Sequence, residues 1–249
     1  MNRFLFTLAL VSTVDSISYM IVTPSLVFYV LECGGTQEQY GLILSIFSFA
    51  SFCGKPILGY WVDAAGNKYR APYMTSISLA AFGAFLYFVA SAFRSPFIAV
   101  GLIFCGRFFG GFGAANQALG FAYLASAVPP EKQTVTSSLL SSVRIIGMAA
   151  GPGFNVLLAR VNRTFSIANY TFHLTRLNSV GLFLMAGNLL TLLLVYVLLE
   201  EPPEREKRHK PVPTSHRRED KLKHLKAFCC IEILLPVYTL FATNTSFQL

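Results

Sequence analysis

The stretch GYWVDAAGNKYR occupies residues 59–70 and lies between two long apolar runs, residues 40–62 and 71–93. Gly59 stands where the first run ends, and Asp63 follows one helical turn later. Gly66 supplies a turn residue, and the cations Lys68 and Arg70 come directly before the second run. The stretch therefore predicts a short charged loop that joins two helices of membrane-spanning length.

The composition supports a membrane protein. Of the 249 residues, 54% are hydrophobic and 13% are charged, with a mean hydropathy of +0.55, whereas a soluble domain carries about a quarter charged residues. The net charge is +8, but nine of the twenty Lys and Arg residues lie in residues 205–226, beside apolar runs. This placement indicates a cytoplasmic loop beside a lipid bilayer, and it argues against a nucleic-acid partner.

Apolar runs divide the chain into three parts. Residues 1–199 hold six predicted spans, residues 200–226 a basic cytoplasmic linker, and residues 227–249 a seventh predicted span. The first run could instead be a signal peptide, but it stays apolar beyond Asp15 and shows no small-residue cleavage site, which favours a span. The seven runs are residues 4–31, 40–62, 71–93, 97–124, 137–158, 178–199 and 227–242.

Basic residues in the connections predict the orientation. With the N-terminus in the cytoplasm, thirteen Lys and Arg residues lie inside and four outside. The sequons at Asn162 and Asn169 then fall on the outer side, where glycosylation would make the protein a glycoprotein. The sequence does not distinguish the plasma membrane from an endolysosomal or vacuolar membrane.

Asp15, Arg107 and Arg144 lie deep inside predicted spans, whereas Lys55 lies nearer the inner edge of its span, where its side chain can reach the interface. A charge at the centre of a span costs about 2.5 to 3.5 kcal/mol on insertion scales, so such residues are functional candidates by default. We expect them to line a cavity that binds a proton or an anionic group; the alternative is a structural ion pair. Polar residues in the spans are either solute contacts or interhelical hydrogen bonds: Asn116, Gln117, Asn155 and Asn188.

The charged loop resembles the loop between the second and third spans of the major facilitator superfamily. Gly59, Asp63, Gly66 and Lys68 match its pattern, whereas Ala64 and Asn67 replace residues that the family prefers to be basic. Three other spans are similar to further superfamily signatures. The residues that carry these matches are Arg107 and Gly111 in the fourth span, Gly147, Gly151 and Pro152 in the fifth, and Asp15 with Pro24 in the first.

The last two signatures are typical of antiporters, although Asn155 stands where the fifth-span signature ends in Gly. The resemblance implies an all-α membrane protein, a bundle of six spans in two inverted three-span repeats followed by part of a second half. It also implies a proton-coupled secondary transporter of a small solute. In such a transporter, Asp63 and its loop latch the inner face, and Gly111, Gly147, Gly151 and Pro152 let helices pack closely and rock.

Two alternatives remain at this point. A seven-span receptor has the same number of runs, but it needs an outside N-terminus, which the charge distribution opposes. A non-transporting half-transporter is the other, because one half lacks the opposing cavity wall and would require a second half. The sequence shows no nucleophile–base pair, metal cluster or phosphate-binding loop, so we expect neither an enzyme nor a cofactor.

Overall fold

The computed structural model describes residues 3–93, 95–158, 163–167, 170–199 and 201. Nearly all of this part is helical. The predicted linker, apart from Glu201, and the predicted seventh span at 227–242 lie outside the described residues. The helices are α1 (Arg3–Glu32), α2 (Gln37–Ala64), α3 (Arg70–Val89), α4 (Pro96–Ala114), α5 (Asn116–Ala127), α6 (Pro130–Leu158) and α7 (Asn178–Leu198), with a 3-10 turn at Ala90–Ala92.

Five helical segments are long and apolar enough to cross a membrane: α1, α2, α3 with its 3-10 turn, α4 with α5, and α7. The predicted all-α membrane bundle is thus confirmed. Local signals fix several helix ends. The Thr36 side chain accepts a hydrogen bond from the Gln39 N–H (3.3 Å), and the Gln39 side chain accepts one from the Thr36 N–H (2.9 Å), which caps α2.

Helix α6 is more polar than the others. It begins at Pro130, seven residues before the predicted fifth span, and its 29 residues are long enough to cross a bilayer. Its N-terminal half carries a groove of polar side chains that no other described element covers, formed by Gln133, Thr134, Ser137, Ser138, Ser141 and Ser142. We call this surface the hydroxyl face of α6.

The predicted fourth span is broken at Ala115. The Ala115 N–H donates to the Phe112 carbonyl (3.2 Å), a three-residue spacing that tightens the chain between α4 and α5. The connection after α6 contains an antiparallel hairpin that the sequence interpretation missed, although its alternating pattern is visible in hindsight. It pairs β1 (Arg163–Ile167) with β2 (Tyr170–Leu174).

The packing of the helices shows the repeat. Helix α1 packs on α6, α2 on α4, and α3 on both α4 and α7. The counterparts of α1, α2 and α3 in the second set of three spans are α4, α6 and α7. When each helix is exchanged with its counterpart, the α1–α6 contact becomes the α4–α2 contact, and the α3–α7 contact is unchanged. The helix pairs are therefore arranged as two three-span repeats require.

Two apolar clusters lie at opposite ends of the bundle. One surrounds Tyr69, Tyr73 and Tyr123, near the loop between α2 and α3. The other surrounds Tyr29 and Tyr87, whose ring centroids are 4.7 Å apart. Along α1, the first cluster uses Leu8 and Val11 and the second begins at Ile21. The polar residues of α1 between these positions face neither cluster, and they define the functional region.

Candidate functional site

Two adjoining cavities lie between the apolar clusters. The larger has a volume of about 270 Å³ and is lined by α1, α2, α3, α5 and α6, with Ala114 at the end of α4. The smaller has a volume of about 60 Å³ and reaches α4 and α7. The two cavities share four lining residues, so they form one bipartite polar site: Asp15, Tyr19, Phe47 and Ala114.

Asp15 is the acidic group of this site. It projects from the middle of α1 and is partly exposed to the cavities. The Arg144 guanidinium on α6 lies within electrostatic range of its carboxylate. The Asn116 amide lies beside it, although neither polar atom of that amide makes a well-formed hydrogen bond within the described residues. The predicted residues Asp15, Asn116, Gln117 and Arg144 are therefore brought together in one cavity.

Arg107 lines the smaller cavity and is only 5% exposed. Its Cζ lies 4.1 Å from the centroid of the Phe47 ring, a cation–π contact. Its Nε and Nη2 atoms are buried and make no hydrogen bond within the part of the chain that the structure describes. A buried guanidinium edge is costly unless it has an acceptor, and the described residues supply none for these two atoms.

Several polar side chains that the sequence did not single out also line the larger cavity. Ser48 and Ser51 of α2 lie there with Lys55, which the sequence did not indicate as a cavity residue. Hydroxyl residues in a span have no distinctive sequence signal, since they also serve as ordinary helix contacts. Among the described residues, no group of three or more His, Cys, Asp or Glu side chains could hold a metal ion.

Two of the polar residues predicted as solute contacts form hydrogen bonds with backbone carbonyls of the helices. The Asn155 amide donates to the Ile21 carbonyl (2.7 Å), so it joins α6 to α1, and it does not line either cavity. Asn188 lines the smaller cavity, but its amide donates to the Leu184 carbonyl of its own helix (2.8 Å). Both are buried or half-buried polar groups whose hydrogen bonds stay within the bundle.

The α1–α6 contact depends on small residues. A Cβ at Gly147 would lie 3.0 Å from the Thr13 carbonyl oxygen, and one at Gly151 would lie 2.5 Å from the Met20 Cβ. Pro152 follows within α6 and is exposed. Close backbone approach over glycine places Arg144, one turn before Gly147, near Asp15 on the facing helix.

The loop at residues 59–70 is shorter than the sequence indicated. Gly59 does not end a helix: α2 continues to Ala64, and Asp63 stands exposed in its last turn. The helical hydrogen-bond pattern extends to the Ala65 N–H, which donates to the Trp61 carbonyl (2.9 Å). Gly66 and Asn67 then take left-handed conformations, with φ of 72° and 64°, and make the turn before α3.

Arg70 and Glu201 connect this loop to the end of α7. The Glu201 carboxylate accepts hydrogen bonds from the Tyr69 N–H (2.8 Å) and the Arg70 N–H (3.0 Å), at the N-terminus of α3. The Arg70 guanidinium donates to the Tyr196 carbonyl and lies 4.8 Å from the centroid of the Tyr196 ring. Sequence reasoning missed Glu201, because these contacts link positions more than 120 residues apart. The glycosylation candidates Asn162 and Asn169 lie outside the described residues.

This geometry defines a class: a polytopic helical membrane protein with a charged, polar site at the centre of a six-span bundle. The chain belongs to the major facilitator superfamily, whose family model matches residues 8–249. Members of this family are membrane transporters.

Individual relatives are distant. An SPX domain-containing membrane protein of Arabidopsis thaliana is 27% identical over 69% of this chain and 23% of that protein. The class C tetracycline resistance protein of Escherichia coli is 25% identical over 85% of this chain and 48% of that protein. Among solved structures, a D-xylose–proton symporter has a TM-score of 0.60 and 19% identity, over 93% of this chain and 55% of that one.

The inward-open xylose transporter XylE of E. coli gives a TM-score of 0.57 over 81% of this chain and 48% of that one. At 19% identity these structural likenesses show the fold. The chain spans about half the length of these relatives, or less.

Proposed function

We propose that this chain is the first half of a secondary transporter that moves a small solute by alternating access, with Asp15 as the proton-carrying group. The observation that carries the proposal is the position of Asp15. It belongs to both cavities, midway between the two apolar clusters, and faces Arg144 across the α1–α6 contact. A carboxylate that is accessible from a central cavity can exchange protons there, which a group sealed in dry packing cannot do.

The coupling follows from electrostatics. Burial disfavours a charged carboxylate, whereas a nearby arginine favours it. Rocking of α6 against α1 over Gly147 and Gly151 would change the separation of Arg144 and Asp15. The proton affinity of Asp15 would then differ between inward- and outward-open states, and that difference couples proton movement to solute movement. One structural neighbour, a D-xylose–proton symporter, motivates proton coupling as a hypothesis.

Transport requires a second half in this proposal. The relatives are about twice as long as the matched region, and the hydroxyl face of α6 is uncovered by any described element. Hydroxyl groups are poor neighbours for lipid tails, so this face fits contact with another six-span half or with a water-filled cavity. The loop residues Gly59, Asp63, Gly66, Lys68 and Arg70 would latch the inner face against that half. A non-transporting half remains the alternative if no second half is recruited.

The test is proton flux in proteoliposomes. The full-length protein is reconstituted with a pH-sensitive dye inside, and xylose, tetracycline or inorganic phosphate is added outside. We expect at least one solute to drive proton movement, and Asp15→Asn to abolish it without reducing the amount of folded protein. Glu38→Gln, which removes an exposed carboxylate at the start of α2, is the matched control and should leave the flux unchanged. Undiminished coupled flux in Asp15→Asn would refute the proposal.

A further inference from the structure

The charged groups that line the two cavities are mostly positive. Lys55 and Arg144 line the larger cavity and Arg107 the smaller, and Asp15 is the carboxylate among the lining residues. Resting on the transport function proposed above, we propose that the solute is a small anion, whose carboxylate, phosphate or sulfate group binds Arg107. This assigns a substrate class to the site and a binding role to its most buried cation.

The geometry of Arg107 is the first argument. The Phe47 ring centroid lies 4.1 Å from the guanidinium Cζ, and Nε and Nη2 find no acceptor among the residues that the structure describes. These two atoms form one edge of the guanidinium, the edge that pairs side-on with two oxygens of a carboxylate or phosphate. This edge is thus a fork for an oxyanion, and because Arg107 is only 5% exposed, the recognition would be strong and specific.

The dimensions of the site fit the same ligand class. A volume of about 60 Å³ at Arg107 holds only a few water molecules, or one small charged group. The remainder of a larger solute would occupy the adjoining cavity of about 270 Å³. There, Lys55 and Arg144 supply further positive charge, and the hydroxyls of Ser48 and Ser51 can donate hydrogen bonds.

Asp15 makes anion binding depend on protons. When ionised, its carboxylate competes with a bound anion for the cations and repels it; when protonated, it does neither. The other titratable groups that line the site with Asp15 are Tyr19, Lys55, Tyr73, Tyr87, Arg107 and Arg144. None of these is a second carboxylate. Anion and proton should therefore bind cooperatively, and anion affinity should rise as the pH falls.

The experiment measures thermal unfolding of the purified full-length protein in nanodiscs at constant ionic strength. The probes are sulfate, inorganic phosphate, succinate and glucose 6-phosphate, with glucose and choline as neutral and cationic comparisons. We expect at least one anion to raise the unfolding temperature in a saturable way, and glucose and choline to leave it unchanged. Arg107→Gln should weaken that anion's apparent affinity at least tenfold, and Arg107→Lys should weaken it less. Lys132→Gln, an exposed cation on α6, is the matched control and should bind as the wild type does.

A folding defect is distinguishable from a lost ligand. Without any anion, Arg107→Gln should unfold at the same temperature as the wild type or higher, since it removes a buried charge that lacks acceptors. Sulfate keeps its charge over the pH range used, so its affinity should rise as the pH falls in the wild type and become pH-independent in Asp15→Asn.

Three results would overturn the proposal: no saturable shift with any anion, an anion shift that survives Arg107→Gln, or binding of glucose or choline alone. Binding of glucose with coupled proton flux would remove only the anion assignment and leave the transporter intact. Anion binding without proton flux from any solute would instead refute the transport function.

Discussion

Glu201 holds the start of α3 although it lies 131 residues further along the chain than Arg70. The first amides of a helix lack intrahelical acceptors, and a carboxylate there satisfies two of them and interacts favourably with the helix dipole. The contact ties the loop between α2 and α3 to the end of α7, and both segments lie at the proposed inner face. Asp63, the acidic residue that the family pattern emphasises, is exposed and free to contact another half.

Replacing this carboxylate tests its role. Glu201→Gln should weaken the cap and destabilise the start of α3 by about 0.3 to 1 kcal/mol, because the charge is lost while one acceptor remains. Hydrogen exchange measured by mass spectrometry should show faster exchange in the peptide that contains Tyr69 and Arg70. Glu131→Gln, an exposed carboxylate at the start of α6, should not change that peptide. Unchanged exchange in Glu201→Gln would show that the cap contributes nothing.

At the scale of elements, glycines set the distances between helices around the site. A Cβ at Gly83 would lie 2.5 Å from the Gly106 carbonyl oxygen, which brings α3 and α4 into backbone contact. A Cβ at Gly111 would collide with the Phe47 carbonyl of α2. Gly106 directly precedes Arg107, and the Phe47 ring stacks on the Arg107 guanidinium. The close contacts of α4 with α3 and α2 therefore determine where this guanidinium lies.

A pair of substitutions in α4 separates close packing from helix propensity. Gly111→Ala should lower the free energy of unfolding by about 1 to 3 kcal/mol, because the methyl group must push α2 away. Gly101→Ala should stay within about 1 kcal/mol of the wild type, since nothing lies within 4 Å of its Cβ position. Unfolding in detergent with increasing SDS measures both variants. Equal stability of the two variants would contradict the packing role of Gly111.

At the scale of the whole molecule, the inner-face assignments depend on the orientation of the chain in the membrane. The charge distribution predicts a cytoplasmic N-terminus. The connection between α6 and α7, with its β-hairpin, would then lie outside, together with the sequons at Asn162 and Asn169.

We therefore expect glycosylation of this connection in a eukaryotic host. Treatment with an N-glycosidase should increase the gel mobility of the wild type, and the double variant Asn162→Gln/Asn169→Gln should already migrate at the faster position. In sealed vesicles with the cytoplasmic side inward, an N-terminal epitope should be protected from added protease. In vesicles of the opposite sidedness it should be cleaved. An epitope on the outer side would reverse the orientation and remove the inner-face role of the loop.

The sequence by itself determined the membrane class and most of the helices. Apolar runs at 4–31, 40–62 and 178–199 agree within a few residues with α1, α2 and α7. This works because the length of apolar chain that spans a bilayer is a local property. The sequence also identified Asp15, Arg107 and Arg144 as unusual, since the cost of a charge in a span can be judged without knowing its neighbours.

Only the tertiary structure decided which of these residues share a site. It placed Asp15 and Arg144 in one cavity, together with Lys55. It also placed Asn155 in a helix contact and left the Arg107 edge without an acceptor within the described part of the chain. It also capped α3 with Glu201 and broke the fourth span at Ala115. These features depend on contacts between residues far apart in the chain, and composition and periodicity record only what lies within one helix.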